Sequence, residues 1–348
     1  MSSAVIESVS NARNDAAETL VPLALGFMHT AALTTAAKLG IADLLAAGPL
    51  PVSELAAATA TNEDALYRVL RALVSAGVFA ETAPRTFELT PAAEALRADV
   101  PGSMRDTVLW LGNSFHFRVW AELPWSVKTG RPAVEMVYGK PCFEVFAELP
   151  ETNREFNQAM TNLSAGIAPA VLEACDFSGI GALMDVAGGH GRSLACFLER
   201  YPRMQGILFD LESVVEGARE HLAAAGVAGR CRTVAGNFFQ EIPAGADAIY
   251  MQHIIHDWDD EPALAILRNC RKALDGKRNA RVLVADAVIP EGPQPHLAKL
   301  IDLEMLLMPG GRERSEEEWR GLFARAGFEI TRIVPTRAPE SLIEARPV

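Results

Sequence analysis

A chain of 348 residues is too long for one ordinary domain and comfortable for two, each able to bury a core of its own. Its formal net charge of -12 argues against nucleic acid as a partner, because that affinity rests largely on Lys and Arg neutralising phosphates. Five scattered cysteines without any C-x-x-C spacing suggest neither a disulfide framework nor a zinc site, which fits a reducing cytoplasm.

Met1 to Thr19 is polar and rich in small residues, without the charged-then-apolar pattern of a leader. No uninterrupted apolar run of about 18 residues follows, so neither export nor a membrane partner is expected. Leu20 to Ala47 is dominated by Ala, Leu, Met and Phe with few charges, so a helix there is apolar around most of its circumference and needs cover on several sides. A second copy of the chain is the simplest cover and makes a homodimer the expectation; burial inside the monomer is the alternative.

Pro51 to Ala56 reads as a short Ser-started helix, and Thr61 to Leu73 as a second one, its apolar residues recurring at helical spacing after a capping residue. Gly77 stops it. Val78–Glu81 and Thr86–Thr90 read as a β-hairpin around Pro84-Arg85, which gives the block the order of a winged helix-turn-helix. A small-molecule-sensing transcriptional regulator is the reading such a block invites. The would-be reading helix, however, offers mainly Arg68 and Arg71 among acidic neighbours, so a structural or dimerising use is favoured.

From about Pro101 to Ala174 the pattern stays helical, with Trp110, Phe115, Phe117, Trp120 and Trp125 concentrated together. Most of these belong to a core, and a minority suit a pocket for a flat apolar ligand. After Phe177-Ser178-Gly179 the texture changes. Ala182–Ala187, Gly206–Asp210, Arg232–Ala235, Ala248–Met251 and Arg281–Asp286 are β-like runs separated by helix-like stretches, as in a parallel, doubly wound sheet that binds ligands at the carboxyl ends of its strands.

Three of those strand ends suit parts of one molecule. The loop Asp185 to Gly191 follows the first strand and opens a helix, so its glycines let backbone approach a ligand and offer free N–H groups; a merely tight turn is the bland alternative. Phe209-Asp210-Leu211 ends the second with a carboxylate able to accept from both ribose hydroxyls, and Gly236-Asn237-Phe238-Phe239 ends the third with an amide and an aromatic suited to an adenine. The fourth run gives way to Gln252-His253-Ile254-Ile255-His256-Asp257-Trp258-Asp259-Asp260, where an imidazole among carboxylates can act as a general base near neutral pH. A capping or packed histidine is the alternative for His256; His253 is read as structural, Asp257 as a helix N-cap candidate and Trp258 as packing.

This order, closed by Gly310-Gly311-Arg312-Glu313-Arg314-Ser315, resembles the S-adenosylmethionine-dependent O-methyltransferases of the caffeic acid and acetylserotonin type, whose bacterial relatives tailor aromatic natural products. The similarity spans nearly the whole chain. It implies an α/β fold with a C-terminal Rossmann-like doubly wound methyltransferase domain at 176–348. An N-terminal all-α, winged-helix dimerisation domain would occupy 1–100, and a helical, substrate-lining region 101–175. By position, the resemblance puts Gly188 and Gly189 at the methionine end of the cofactor, Asp210 at its ribose, Asn237 and Phe238 at its adenine, and Gln252 and Ser164 beside it. Ala187, Asn237 and Gln252 depart from the family's usual Gly, Asp and basic residue, each keeping small size or hydrogen-bonding capacity.

The same resemblance implies His256 as the base, Asp286 and Glu313 as the acids flanking it, and Met160, Met305 and Met308 as clamps on a flat ring. It is to metal-independent members, and no His/Asp/Glu set with ligand spacing suggests a metal. The bland readings are Asp286 holding a backbone turn, Glu313 pairing with Arg312 or Arg314, and the methionines as core. A phenol ionises near about pH 10 and a free imidazole near about 6.5, so full ionisation before attack is uphill by about 4 to 5 kcal/mol. A base therefore has to act as the O–C bond forms. A relative drifted to hydroxylation or decarboxylation on the same cofactor site is the nearer alternative, which retention of His256, Asp286 and Glu313 disfavours.

Overall fold

The computed structural model describes residues 3–277 and 279–348, with side chains from Ala16 onward. The expectation of no leader at Met1 to Thr19 therefore falls partly outside the described residues. The chain divides into two compact units, one of residues up to Phe117 together with Glu151–Asn162, the other of Arg118–Pro150 and Leu163–Val348.

In the first unit a long helix, Ser3–Lys38, ends where Gly40 turns the chain at φ 66°. Asn62 caps the helix Glu63–Ser75 by accepting from the Ala65 N–H at 2.9 Å, and Leu66, Leu70 and Leu73 recur on its buried face. Strands β1 (Leu50–Pro51), β2 (Phe79–Ala83) and β3 (Thr86–Leu89) form a small sheet in the order β1-β3-β2, turning at Arg85, and complete the winged-helix arrangement. Its core gathers Ile41, Leu55, Leu70 and Phe87, all fully buried. Within the chain the middle of the long helix is left bare: Leu23 is 75% exposed and Phe27 58%. By length and composition alone, Ala16–Lys38 is apolar enough to cross a membrane.

In the second unit the five β-like runs become β4 (Ala182–Val186), β5 (Gln205–Asp210), β6 (Cys231–Ala235), β7 (Ala248–Gln252) and β8 (Arg281–Asp286), all parallel. Short β9 (Val288–Ile289) pairs with β10 (Arg314–Ser315), and β11 (Phe328–Pro335) and β12 (Ser341–Pro347) close one side. The sheet order is β11-β12-β8-β7-β4-β5-β6. Alternate residues feed two cores: Met184, Val186, Ile249, Met251, Val282 and Val284 on one face, Leu183, Tyr250, Leu283 and Leu208 on the other.

The sheet is not wholly parallel. β12 runs antiparallel to β8 and β11 antiparallel to β12. Their sequences hide this because the exposed face carries cross-strand ion pairs, Arg332–Glu344 at 2.8 Å and Arg346–Glu329 at 2.6 Å, among the apolar residues. The order reverses at β4, whose successor β5 lies on one side and β7 on the other, so a crevice opens at the carboxyl ends of β4 and β7.

Candidate active site

Past Gln252 at the end of β7, His253 takes a left-handed backbone (φ 54°) and a 3-10 turn, Ile255–Asp257, carries His256. The helix that follows, Asp260–Ala273, is capped by Asp259, so Asp257 is not its N-cap. The Gly-Gly-Arg segment is laid against this turn. A Cβ on Gly311 would stand 2.0 Å from the His256 carbonyl oxygen, and the Arg312 N–H donates to that oxygen at 2.8 Å. Buried Arg314 donates to the carbonyls of Ile255 (3.4 Å) and Trp258 (3.0 Å) and pairs with Asp260 at 3.1 Å. The β9–β10 pairing, Val288 opposite Arg314, brings Glu313 beside the end of β8.

Three of the expected residues thereby meet. His256 Nδ1 lies 2.8 Å from Glu313 Oε1 and 3.9 Å from Asp286 Oδ1, while Nε2 lies 3.6 Å from Asp257 Oδ1. Arg312 and Arg314 pair instead with Asp259 and Asp260. Asp286 is fully buried and neither of its oxygens has a hydrogen-bond partner among the described residues. A Glu313 carboxylate accepting from Nδ1–H fixes the neutral ring as the tautomer whose lone pair is on Nε2.

Burial opposes a charge on His256, but the carboxylates of Asp286, Glu313 and Asp257 outweigh it and raise its pKa to about 10. Burial pushes Asp286 up to about 7 and Asp257 up to about 6, each held back by His256. His256, Asp257 and Asp286 thus titrate as one cluster.

At the other strand ends, a Cβ on Gly188 would lie 2.5 Å from the Asp185 carboxyl and 2.6 Å from Leu208, so only glycine fits there; one on Gly189 would meet nothing within 4 Å. Buried Asp185 is pushed up to about 8, first by burial and then by Asp210. Asp210 accepts from the N–H groups of Gly189 (2.8 Å) and Leu211 (2.7 Å), one on each oxygen, leaving a lone pair on each for a ligand hydroxyl. Gln252 Oε1 accepts from Ser193 (3.0 Å) and the Tyr250 hydroxyl (2.9 Å), which leaves its NH2 as the free end. Asn237 Oδ1 accepts from the Phe239 N–H at 2.9 Å. Phe238 is half-buried against the core, its ring 4.7 Å from Phe239, which is 37% exposed and meets Trp258 edge-on at 4.7 Å. Ala187 sits at φ 56°, the left-handed region that explains why glycine is the usual residue there.

Ser164 ends the helix Pro150–Ser164 and is half-buried. Met160, on that helix, belongs to the first unit, whereas half-exposed Met305 and buried Met308 belong to the second. Several neighbours were not read in the sequence as partners of the site. Asp257 stands at Nε2, Asp302 accepts from the Glu313 N–H at 2.9 Å, and Glu304 holds the Trp120 indole N–H at 2.7 Å. The available signal was two acids, Asp302 and Glu304, inside the helix Ala298–Leu307, which is apolar apart from them and Lys299. Glu340 at His253 gave no comparable cue.

The fold and these strand ends define an S-adenosylmethionine-dependent methyltransferase. A family model described as the O-methyltransferase domain matches residues 120–329, and one described as the O-methyltransferase dimerisation domain matches 21–99. The chain belongs to that O-methyltransferase family. It is 42% identical over 329 residues to the phenazine O-methyltransferase PhzM of Lysobacter antibioticus, covering 94% of this chain and 96% of that one. It is 31% identical over 328 residues to the phenazine-1-carboxylate N-methyltransferase of Pseudomonas aeruginosa, covering 94% and 96%. Among solved structures it matches LaPhzM with a TM-score of 0.89 at 41% identity, over 95% of this chain and 99% of that one. It also matches NcsB1 from neocarzinostatin biosynthesis, in complex with S-adenosylmethionine and 2-hydroxy-5-methyl naphthoic acid, with a TM-score of 0.77 at 32% identity over 92% and 96%. The open space at Gly189, where a Cβ would meet nothing within 4 Å, and the oriented Asp210 carboxylate fit that cofactor.

Proposed function

We propose that this enzyme transfers a methyl group to a hydroxyl of a small aromatic acceptor, with His256 as general base. The observation that carries the reading is the 2.8 Å contact between His256 Nδ1 and Glu313, which commits the ring to work through Nε2. When bound, S-adenosylmethionine supplies a methyl group activated by its sulfonium charge. Gly188, Gly189 and Asp210 hold it through backbone approach and ribose hydroxyls, Asn237 and Phe238 take its adenine, and Gln252 and Ser164 donate to it. Met160, Met305 and Met308 flank the acceptor ring.

Proton affinities support the assignment. With the His256 value raised to about 10, transfer from a phenol of about 10 is nearly level, and the cost moves to forming the neutral ring. The neutral ring must exist first, so acceptor binding releases one proton from the cluster. Glu313, Asp286 and Asp257 then stabilise the imidazolium that forms on Nε2.

The bare middle of the long helix, with Leu23 and Phe27 exposed, supports a homodimer built through residues 1–100. Residues 101–175 then line the acceptor and 176–348 carry the cofactor, in a cytoplasmic enzyme. Incubation with labelled S-adenosylmethionine and a panel of hydroxylated aromatics, read by mass spectrometry, tests the activity. Transfer by the wild type and its loss in a folded, cofactor-binding His256→Ala variant are expected; a variant that still methylates refutes the base.

A further inference from the structure

Among the described residues Arg314 is the one buried guanidinium, 1% exposed, and a cation is kept in a protein interior only where partners replace its water. Its partners are backbone carbonyls on both sides of the turn that carries His256. One terminal nitrogen donates to the carbonyls of Ile255 and Arg312, each at 3.4 Å; the other donates to the Trp258 carbonyl at 3.0 Å and to the Asp260 carboxylate at 3.1 Å. Between those anchors the His256 carbonyl is taken by the Arg312 N–H at 2.8 Å. The guanidinium carbon also lies 5.5 Å from the ring centroid of fully buried Trp319, whose indole N–H donates to the Ala287 carbonyl at 3.2 Å, one residue beyond Asp286.

Glu313 is the chain neighbour of Arg314. One short segment therefore grips the turn twice: Arg314 and the Arg312 N–H hold its backbone, while Glu313 holds the imidazole it presents, at 2.8 Å. Arginine suits the backbone grip, because a rigid planar fork reaches the Ile255 and Trp258 carbonyls at once, whereas an ammonium is a single point on a flexible stem.

We propose that Arg314 is a positioning residue for the base: by gripping the Ile255 and Trp258 carbonyls it fixes the His256 turn against Glu313 and so sustains the contact through which Glu313 holds the ring. The inference rests on the reading of His256 as the base. Arg314 acts through geometry and not through its own charge. The charges that raise the proton affinity of His256 come from Asp286 of β8, Glu313 of the same segment and Asp257 of its own turn. The other titratable group against the ring is His253, stacked 5.0 Å away and paired with Glu340. When the turn drifts from Glu313, His256 loses part of its support and becomes less basic.

The test compares kcat/KM against pH with one phenolic acceptor in the wild type, Arg314→Lys, Glu313→Gln and the double variant, with cofactor affinity measured by calorimetry. Arg314→Lys keeps the buried charge and removes the fork. Its kcat is expected to fall about tenfold with cofactor affinity unchanged, and its acidic limb to move to lower pH, in the direction expected of Glu313→Gln and by less. In the double variant the limb sits where Glu313→Gln alone puts it, and the rate loss is smaller than the product of the single losses, because both residues act through one contact. A loss of rate with an unmoved limb, or losses that multiply, means that Arg314 merely holds the fold and overturns the proposal. Should Arg314→Lys not fold, Asp260→Asn decides, since it removes the charge from a partly exposed partner of Arg314. The same shift, smaller, is then expected, and an unmoved limb overturns the proposal. His256→Gln separates the two readings: activity in it sinks the base assignment, whereas a dead His256→Gln beside an unmoved limb in Arg314→Lys sinks only the role of Arg314.

Discussion

Replacing Glu313 by Gln leaves the shape of the side chain and an acceptor for the Nδ1 proton, but removes a buried negative charge 2.8 Å from the ring. A hydrogen bond to a charged partner contributes about 1.5 to 3 kcal/mol, against about 1 kcal/mol for a neutral one. That interaction is made in full only when His256 is an imidazolium, the state it enters as the acceptor loses its proton. The loss therefore falls on kcat, and at about 1.4 kcal/mol per factor of ten it amounts to roughly 10- to 100-fold. A second signature follows from the sign of the charge. Glu313 is one of the groups that raise His256 to about 10, so without it the ring is less basic and the acidic limb of kcat/KM moves to lower pH while the plateau falls. Initial rates of labelled methyl transfer across a pH series measure both, and His256→Gln sets the floor. An unchanged plateau, or a limb that moves upward, refutes the proposed coupling of Glu313 to the base.

Asp286→Asn is expected to lower kcat by about tenfold with cofactor affinity unchanged, a smaller effect than at Glu313 because its nearest oxygen stands 3.9 Å from Nδ1; steady-state kinetics and calorimetry check it. Ala187→Gly relieves a left-handed alanine and should stabilise the fold by about 1 kcal/mol, or roughly 2 to 4 °C in the melting temperature by calorimetry. Stability should also depend on pH through His256. Its ordinary value is 6.5 and its folded value about 10, so its contribution is whole below about 6.5 and is lost as pH rises toward 10. The melting temperature accordingly falls over that range, and less steeply in His256→Gln. Leu23→Arg together with Phe27→Asp should convert a dimer to monomer in light scattering without loss of helix content; a wild type already monomeric defeats that prediction.

Local signals made much of this legible in the sequence. Four of the five parallel strands, β4, β5, β7 and β8, announced themselves as short apolar runs, because a strand buried on both faces has no polar alternation to confuse it; β6, at the edge of the sheet, is only half-buried. The glycine loop and the Asp210 strand end could be read because each depends on a few consecutive residues at one turn. The two antiparallel strands could not, since β11 and β12 carry charged residues that pair across an exposed face, and β12 finds its place only beside β8, whose paired residues lie 55 or more positions earlier in the chain.

The chemistry of the base divides along the same line. That an imidazole stands at the end of β7, among acids, is written in one stretch of nine residues. Which acid holds its Nδ1 is decided by Glu313, 57 residues on, and which acid holds the neighbouring His253 by Glu340, 87 residues from it. Sequence spacing sets the direction of a side chain only within a turn or two of its own element. The distances between groups from different elements, and with them the proton affinity of His256, exist only once the sheet has brought the strand ends together.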